Sequence, residues 1–148
     1  MKSSELLARV ELFEGLSPDE IDELAGVCLE QTHTTGDEIT QQGQPGDELF
    51  IVMDGFVEVN RSLPGGEDSP RTMVRLGTGQ IFGEMALVDH GMRSATVLAA
   101  SDDTRILAIR RQDFERLCET NHHLGYIVMR NIAADLSFKV RHLNLTGR

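Results

Sequence analysis

Apolar positions along the chain change period twice, and the changes divide it into helix, sheet and helix. Near the N-terminus, Ile21, Leu24, Ala25 and Cys28 recur at helical spacing behind Ser17-Pro18-Asp19-Glu20. That tetrapeptide is a helix start, with serine as N-cap, proline at the first helical position and a glutamate three residues on to close a capping box. From residue 36, short apolar runs alternate with glycine-bearing turns at Gly36, Gly43, Gly46, Gly55, Gly65-Gly66, Gly77 and Gly79. The runs at residues 48–53, 56–60, 72–76, 96–100 and 104–109 read as strands, and short strands at regular spacing imply a sandwich or barrel. Residues 62–70, with two prolines and two glycines, read as a surface hairpin loop. Helical spacing then returns. Phe114, Leu117 and Cys118 mark a short helix, and Leu124, Val128, Ile132, Leu136 and Val140 mark a longer one with Asn121 as its cap.

Composition narrows the partners. The 148 residues suit one domain with a real core, and a formal net charge of −10 disfavours nucleic acid and anionic membrane, both of which would repel the surface. The N-terminus is acidic and amphipathic, and no apolar run is long enough to span a bilayer, so the expected compartment is the cytoplasm. Cys28 and Cys118 both fall on apolar faces of the predicted helices and read as buried free thiols. His33, His90, His122, His123 and His142 form no metal-binding spacing, and no nucleophile elbow is present, so the expectation is a protein without catalytic or metal chemistry. His90 falls where it could sit near the mouth of a site built from its neighbours.

Those neighbours carry the chemistry. Phe82, Met85, Ala86, Leu87, Ala95 and Val97 want burial, which draws Glu84 and Arg93 inward with them, and a buried charge needs a partner. Two readings are open from the residues alone. Glu84 and Arg93 pair with each other and pin a loop, or both face a ligand. For the second, Gly83 allows a helical turn to open directly after it, and the bare amides at a helix start together with an arginine make an anion site. A carboxylate beside that anion accepts hydrogen bonds and suits a ribose hydroxyl.

Residues 82–97, FGEMALVDHGMRSATV, resemble the phosphate-binding cassette of cyclic-nucleotide-binding domains: Phe-Gly-Glu, an apolar residue, Ala-Leu, a variable stretch, then Arg, a small residue, Ala, Ser or Thr, and Val. The interval from Glu84 to Arg93 is similar to that of the protein kinase A regulatory subunits and Epac-like exchange factors, and one residue shorter than in the bacterial catabolite activator. The resemblance implies that Glu84 holds the ribose 2′-hydroxyl, that Arg93 holds the cyclic phosphate with the amides of Ala86 and Ser94, and that Gly83 permits close approach. The implied binding set is Gly83, Glu84, Met85, Ala86, Arg93, Ser94 and Ala95. Met92 stands where kinase-type cassettes often carry proline, which removes no ligand group. Serine after the arginine occurs with adenine in the catabolite activator, so the implied ligand is cAMP, with cGMP as the alternative.

The resemblance covers about residues 6–143 and implies an α+β fold: an eight-stranded antiparallel jelly-roll β-barrel flanked by N-terminal helices and a C-terminal helical hinge with a long final helix. N-terminal helices are expected over about residues 3–30, the barrel with its cassette over about 36–110, and the C-terminal helices over about 111–143 of a single domain, 1–148. The implied function is a free-standing cyclic-nucleotide sensor that signals to a separate effector protein, with the C-terminal helix as a possible homodimer surface. The competing expectation is a divergent jelly-roll protein, a fragment of a transcription regulator or of a channel or kinase regulatory domain, or a small-molecule enzyme, in which the cassette is structural. Residues 144–148 leave no room for a helix-turn-helix after the long helix, and the missing metal ligands speak against the enzyme.

Overall fold

A computed structural model of the chain describes residues 1–62 and 71–145. The expected hairpin loop therefore lies, beyond Ser62, outside the described residues. The helix start at Ser17 forms as its sequence demands: Ser17 Oγ accepts from the Glu20 amide at 3.2 Å, and the Glu20 carboxylate accepts from the Ser17 amide at 3.0 Å. Helix α1 spans Ser3–Leu7, a 3-10 turn spans Glu11–Phe13, and α2 spans Pro18–Ala25. Eight strands follow among the described residues: β1 Leu29–His33, β2 Glu38–Thr40, β3 Glu48–Asp54, β4 Val57–Ser62, β5 Arg71–Leu76, β6 Ile81–Phe82, β7 Thr96–Ala99 and β8 Thr104–Arg110. Helices α3 (Arg111–Thr120) and α4 (His122–Leu145) close the described chain. Among the described residues no helix is long and apolar enough to cross a membrane.

The strands lie in two four-stranded antiparallel sheets, ordered β1-β8-β3-β6 and β2-β7-β4-β5. Pairs 1·8, 2·7, 3·6 and 4·5 nest inside one another, so the sheet segment is a long hairpin folded over on itself. β3 and β8 are apolar on both faces for a reason visible in the packing. Leu49, Ile51, Leu107 and Ile109 face the helices, where they join Leu24, Phe114, Leu124 and Val128, whereas Phe50, Val52, Ile106 and Ala108 face the other sheet and meet Val57 and Val97. Alternation thus serves two cores at once, and burying both sides produces the uninterrupted run LFIVM.

Three strands escape the sequence pattern. β1 presents mostly polar, exposed residues at a sheet edge, β2 has three residues and β6 two, too few for a period to register. The expected N-terminal helical region to residue 30 is corrected accordingly. α2 stops at Ala25, capped by Gly26, and β1 begins at Leu29 because it pairs with β8. Cys28 consequently sits in the turn between them and not on a helix, its thiol donating to the Leu24 carbonyl at 3.4 Å. Burial pushes that thiol up to about 12 and also raises Cys118, so neither is a ready nucleophile, and both are free thiols.

Glu20 does more than close a cap. Its carboxylate also accepts from the Asn121 side chain at 3.1 Å and from His123 Nδ1–H at 2.9 Å, tying α2 to the start of α4, where Asn121 Oδ1 caps the Leu124 amide at 3.1 Å. The bond from the Ser17 amide first, then His123 and Asn121, hold its pKa at about 2 against an ordinary 4.5. A carboxylate depressed on folding contributes stability that is present above its unfolded pKa and lost as pH falls toward the folded one. Thermal melts are therefore expected to lose midpoint temperature between about pH 4.5 and about pH 2, and Glu20→Gln to flatten that loss. A variant with the wild-type acid profile would assign the transition to other carboxylates.

Candidate functional site

The segment from β6 to β7 builds the site around one glycine. Gly83 adopts φ +78°, the left-handed region that glycine enters freely, and a Cβ there would meet Arg93 Nη1 at 2.6 Å and the Glu48 carbonyl at 2.8 Å. Directly after it, Glu84–Leu87 form the expected helical turn, in 3-10 form. That tighter winding changes which amides are free. The Ala86 N–H donates to the Gly83 carbonyl at 3.1 Å, and among the described residues the amides of the turn's first residues, Glu84 and Met85, have no acceptor.

Arg93 is clamped from a part of the chain that its own sequence neighbourhood does not reveal. Its N–H donates to the Gln44 carbonyl at 2.8 Å, its carbonyl accepts from the Gly43 amide at 2.9 Å, and Thr40 Oγ1 donates to the Ala95 carbonyl at 3.1 Å. The guanidinium donates from Nη1 to the Glu48 carbonyl at 2.9 Å and lies over the Phe50 ring, 5.4 Å from its centroid, which is itself stacked on Phe82 at 4.9 Å. Gly46 packs so closely that a Cβ there would stand 1.9 Å from Arg93 Nε. Burial pulls the guanidinium below its ordinary value, while the charges of Glu48 and Asp47 act in the opposite sense.

The two charges singled out in the sequence do not pair with each other. Glu84 Oε1 lies 3.5 Å from Lys139 Nζ on α4, and Lys139 also contacts Asp135 at 2.9 Å. Gly83, Glu84, Met85, Ala86, Arg93, Ser94 and Ala95 all line one cavity of about 460 Å³, within the range of small-molecule sites. Met85 is exposed at its rim, Ala86 and Ala95 are buried, and Ser94 Oγ accepts from Arg61 Nη2 at 3.3 Å. Val59, Val74, Leu76 and Leu136 supply apolar wall. Three cations, Arg61, Arg93 and Lys139, face two carboxylates, Glu84 and Asp89, which makes this lining locally positive in a chain of net charge −10. Such a cavity accepts an anion at one end, a hydrogen-bond donor at Glu84, and an apolar ring against β4, β5 and α4.

Gly46, Arg61, Leu136 and Lys139 were not among the expected residues. Lys139 had a signal, being one of two lysines in the chain and three positions after Leu136 on the apolar stripe. His90 lies elsewhere, in a neighbouring depression with Asp47 and Arg111. A larger depression of about 630 Å³ among the N-terminal helices holds none of the expected residues and is rimmed by Glu5, Glu11, Glu14 and Asp22, which disfavours an anion there.

Comparison with known proteins places these residues in context. The family model described as cyclic nucleotide-binding domain matches residues 30–121. The Cyclic AMP receptor protein of Thermus thermophilus is 37% identical over 134 residues, 90% of this chain and 59% of its own length. The cGMP-dependent protein kinase egl-4 of Caenorhabditis elegans is 33% identical over 75% of this chain, which spans 14% of that kinase. The crystal structure of the Thermus thermophilus Catabolite Activator Protein superposes with a TM-score of 0.78 at 34% identity, over 92% of this chain and 61% of the other.

Proposed function

The chain belongs to the cyclic nucleotide-binding domain family, and we propose that it is a sensor module that binds cAMP in preference to cGMP, carries no catalytic activity, and passes occupancy to a separate effector in the cytoplasm. The observation that carries this reading is the convergence in one cavity of the Arg93 guanidinium, the free amides of a turn opened by Gly83, and the Glu84 carboxylate. Arg93 and the amides take the cyclic phosphate, and Glu84 takes the ribose 2′-hydroxyl. Phosphate and ribose are common to both nucleotides, so discrimination lies at the base, beside Ser94 and Arg61. The nested strand pairs and the two-sheet order are read as a jelly roll. Calorimetric titration with cAMP, cGMP and AMP tests the proposal. Saturable binding of cAMP, weaker binding of cGMP and none of AMP are expected, and a folded protein that binds neither cyclic nucleotide would sink it.

Steric closeness at Gly46 gives a sharper test of the Arg93 assignment. Gly46→Ala places a methyl where the guanidinium now lies, so the side chain must leave its bed while the fold keeps it. Affinity for cAMP is expected to fall by about tenfold, the equivalent of about 1.4 kcal/mol, with the melting curve little changed. Unaltered affinity would mean that Arg93 acts from a different rotamer.

A second copy of the chain is the proposed occupant of the outer face of α4. Tyr126, Met129, Ala133 and Val140 recur at intervals of three, four and seven residues, which fit a coiled-coil seam. Tyr126 is 60% and Val140 55% exposed, whereas Leu124, Val128 and Ile132 on the opposite face are buried in the core. Sedimentation is expected to show a dimer that Val140→Glu dissociates; a wild-type monomer at high concentration would remove this reading.

A further inference from the structure

Arg111 is the first residue of α3 and holds three pieces of the site together. Its Nη1 donates to the Ala86 carbonyl at 3.2 Å and to the Asp89 carbonyl at 3.1 Å, at the far end of the turn whose near end carries the free amides. Its own amide donates to the Asp47 carbonyl at 2.7 Å, in the loop that beds Arg93. The side chain is 16% exposed. Carbonyls at the end of a helical turn need donors from outside it, and an arginine supplies them with a fixed, planar geometry. The 3-10 turn has four residues, so its amide end and its carbonyl end are about one turn apart. A phosphate that grips its amide end therefore moves its carbonyl end as well, and Arg111 stands on that end with α3 behind it.

Resting on the cyclic-nucleotide reading above, we propose that Arg111 is a positioning residue that sets the cassette turn against the Arg93 loop and hands nucleotide occupancy to α3 and α4. Its removal leaves Arg93 and Glu84 in place and breaks the connection. The test compares wild type with Arg111→Met and Arg111→Lys by cAMP calorimetry, thermal melting and amide hydrogen exchange with and without saturating cAMP. In the wild type cAMP is expected to protect residues 83–96 and to alter exchange across α4. In Arg111→Met, affinity is expected to fall about tenfold, the scale of one charge-assisted hydrogen bond. Residues 83–96 stay protected at saturation, and the α4 response disappears. Arg111→Lys, which keeps the charge on a shorter and differently shaped head, is expected to fall between the two.

A purely structural role would lower the melting temperature and leave the α4 response intact, and that result overturns the proposal. Should Arg111→Met not fold, Arg111→Lys carries the same test: a diminished α4 response supports the proposal and a wild-type response overturns it. A wild type that binds neither cyclic nucleotide overturns the functional reading and this inference together, whereas a wild type that binds beside an Arg111→Met that still transmits overturns this inference alone.

Discussion

Arg93→Ala is expected to weaken cAMP binding by on the order of a hundredfold or more while the protein stays folded. The guanidinium is half-buried, holds the Glu48 carbonyl and lies against Phe50, so it meets an anion from a position prepared for it. Removing one member of a buried charge pair costs roughly 3–5 kcal/mol, and each 1.4 kcal/mol is about tenfold in affinity. The backbone of residue 93 keeps its two bonds to the loop at Gly43 and Gln44, so β7 retains its entry and the melting temperature should drop by little. Calorimetry and a thermal melt on the same preparation separate the two effects. A folded Arg93→Ala protein with wild-type affinity would falsify the phosphate assignment.

The second large effect concerns the ribose. Lys139 lies at Oε1 of Glu84, and a carboxylate has lone pairs to spare on its other oxygen, so the pair does not preclude a hydroxyl donor. A hydrogen bond to a charged group contributes roughly 1.5–3 kcal/mol, which makes 2′-deoxy-cAMP roughly 10- to 150-fold weaker than cAMP on the wild type. Glu84→Gln removes the charge and should narrow that ratio, chiefly by weakening cAMP. Equal affinities of the two ligands for the wild type would mean that Glu84 serves α4 through Lys139 and takes no part in recognition.

The cassette was legible because its chemistry is contiguous. An anion site with a flanking acceptor writes Gly83, Glu84 and Arg93 into eleven residues, with small and apolar neighbours whose burial can be read directly. Its supports were not legible, because they arrive through pairing between distant segments. Gly46 and the carbonyls of Gln44 and Glu48 reach Arg93 only because the chain turns back there, and Arg111 reaches Ala86 across the end of the sheet. The long strands were visible for the same reason β2 and β6 were not: period needs length, and LFIVM shows its character in five positions where Ile81-Phe82 has two, whereas β1 was hidden by the polar, exposed residues of a sheet edge. The α4 stripe was read as one face, yet the helix serves two. It begins against the core at Leu124 and runs on until Leu136 reaches the cavity and Val140 the exposed surface.

Nested pairing orders the assembly of this protein in time. β4 and β5 are close in sequence, so they meet after a short loop closure, whereas β1 finds β8 only by joining Leu29 to Ala108 and their neighbours. Long closures cost entropy before any contact repays it, which places such topologies among slow folders, on the millisecond-to-second scale. The innermost pair can zip first and the outer ones follow in turn, 3·6, then 2·7, then 1·8. Arg93 sits between β6 and β7, and its bed sits between β2 and β3, so the two halves of the site come together only when the second and third of these closures are made. A chain emerging during synthesis holds the loop at Gly46 long before it holds the arginine that belongs there, and the pocket is absent until nearly the whole hairpin has rolled shut.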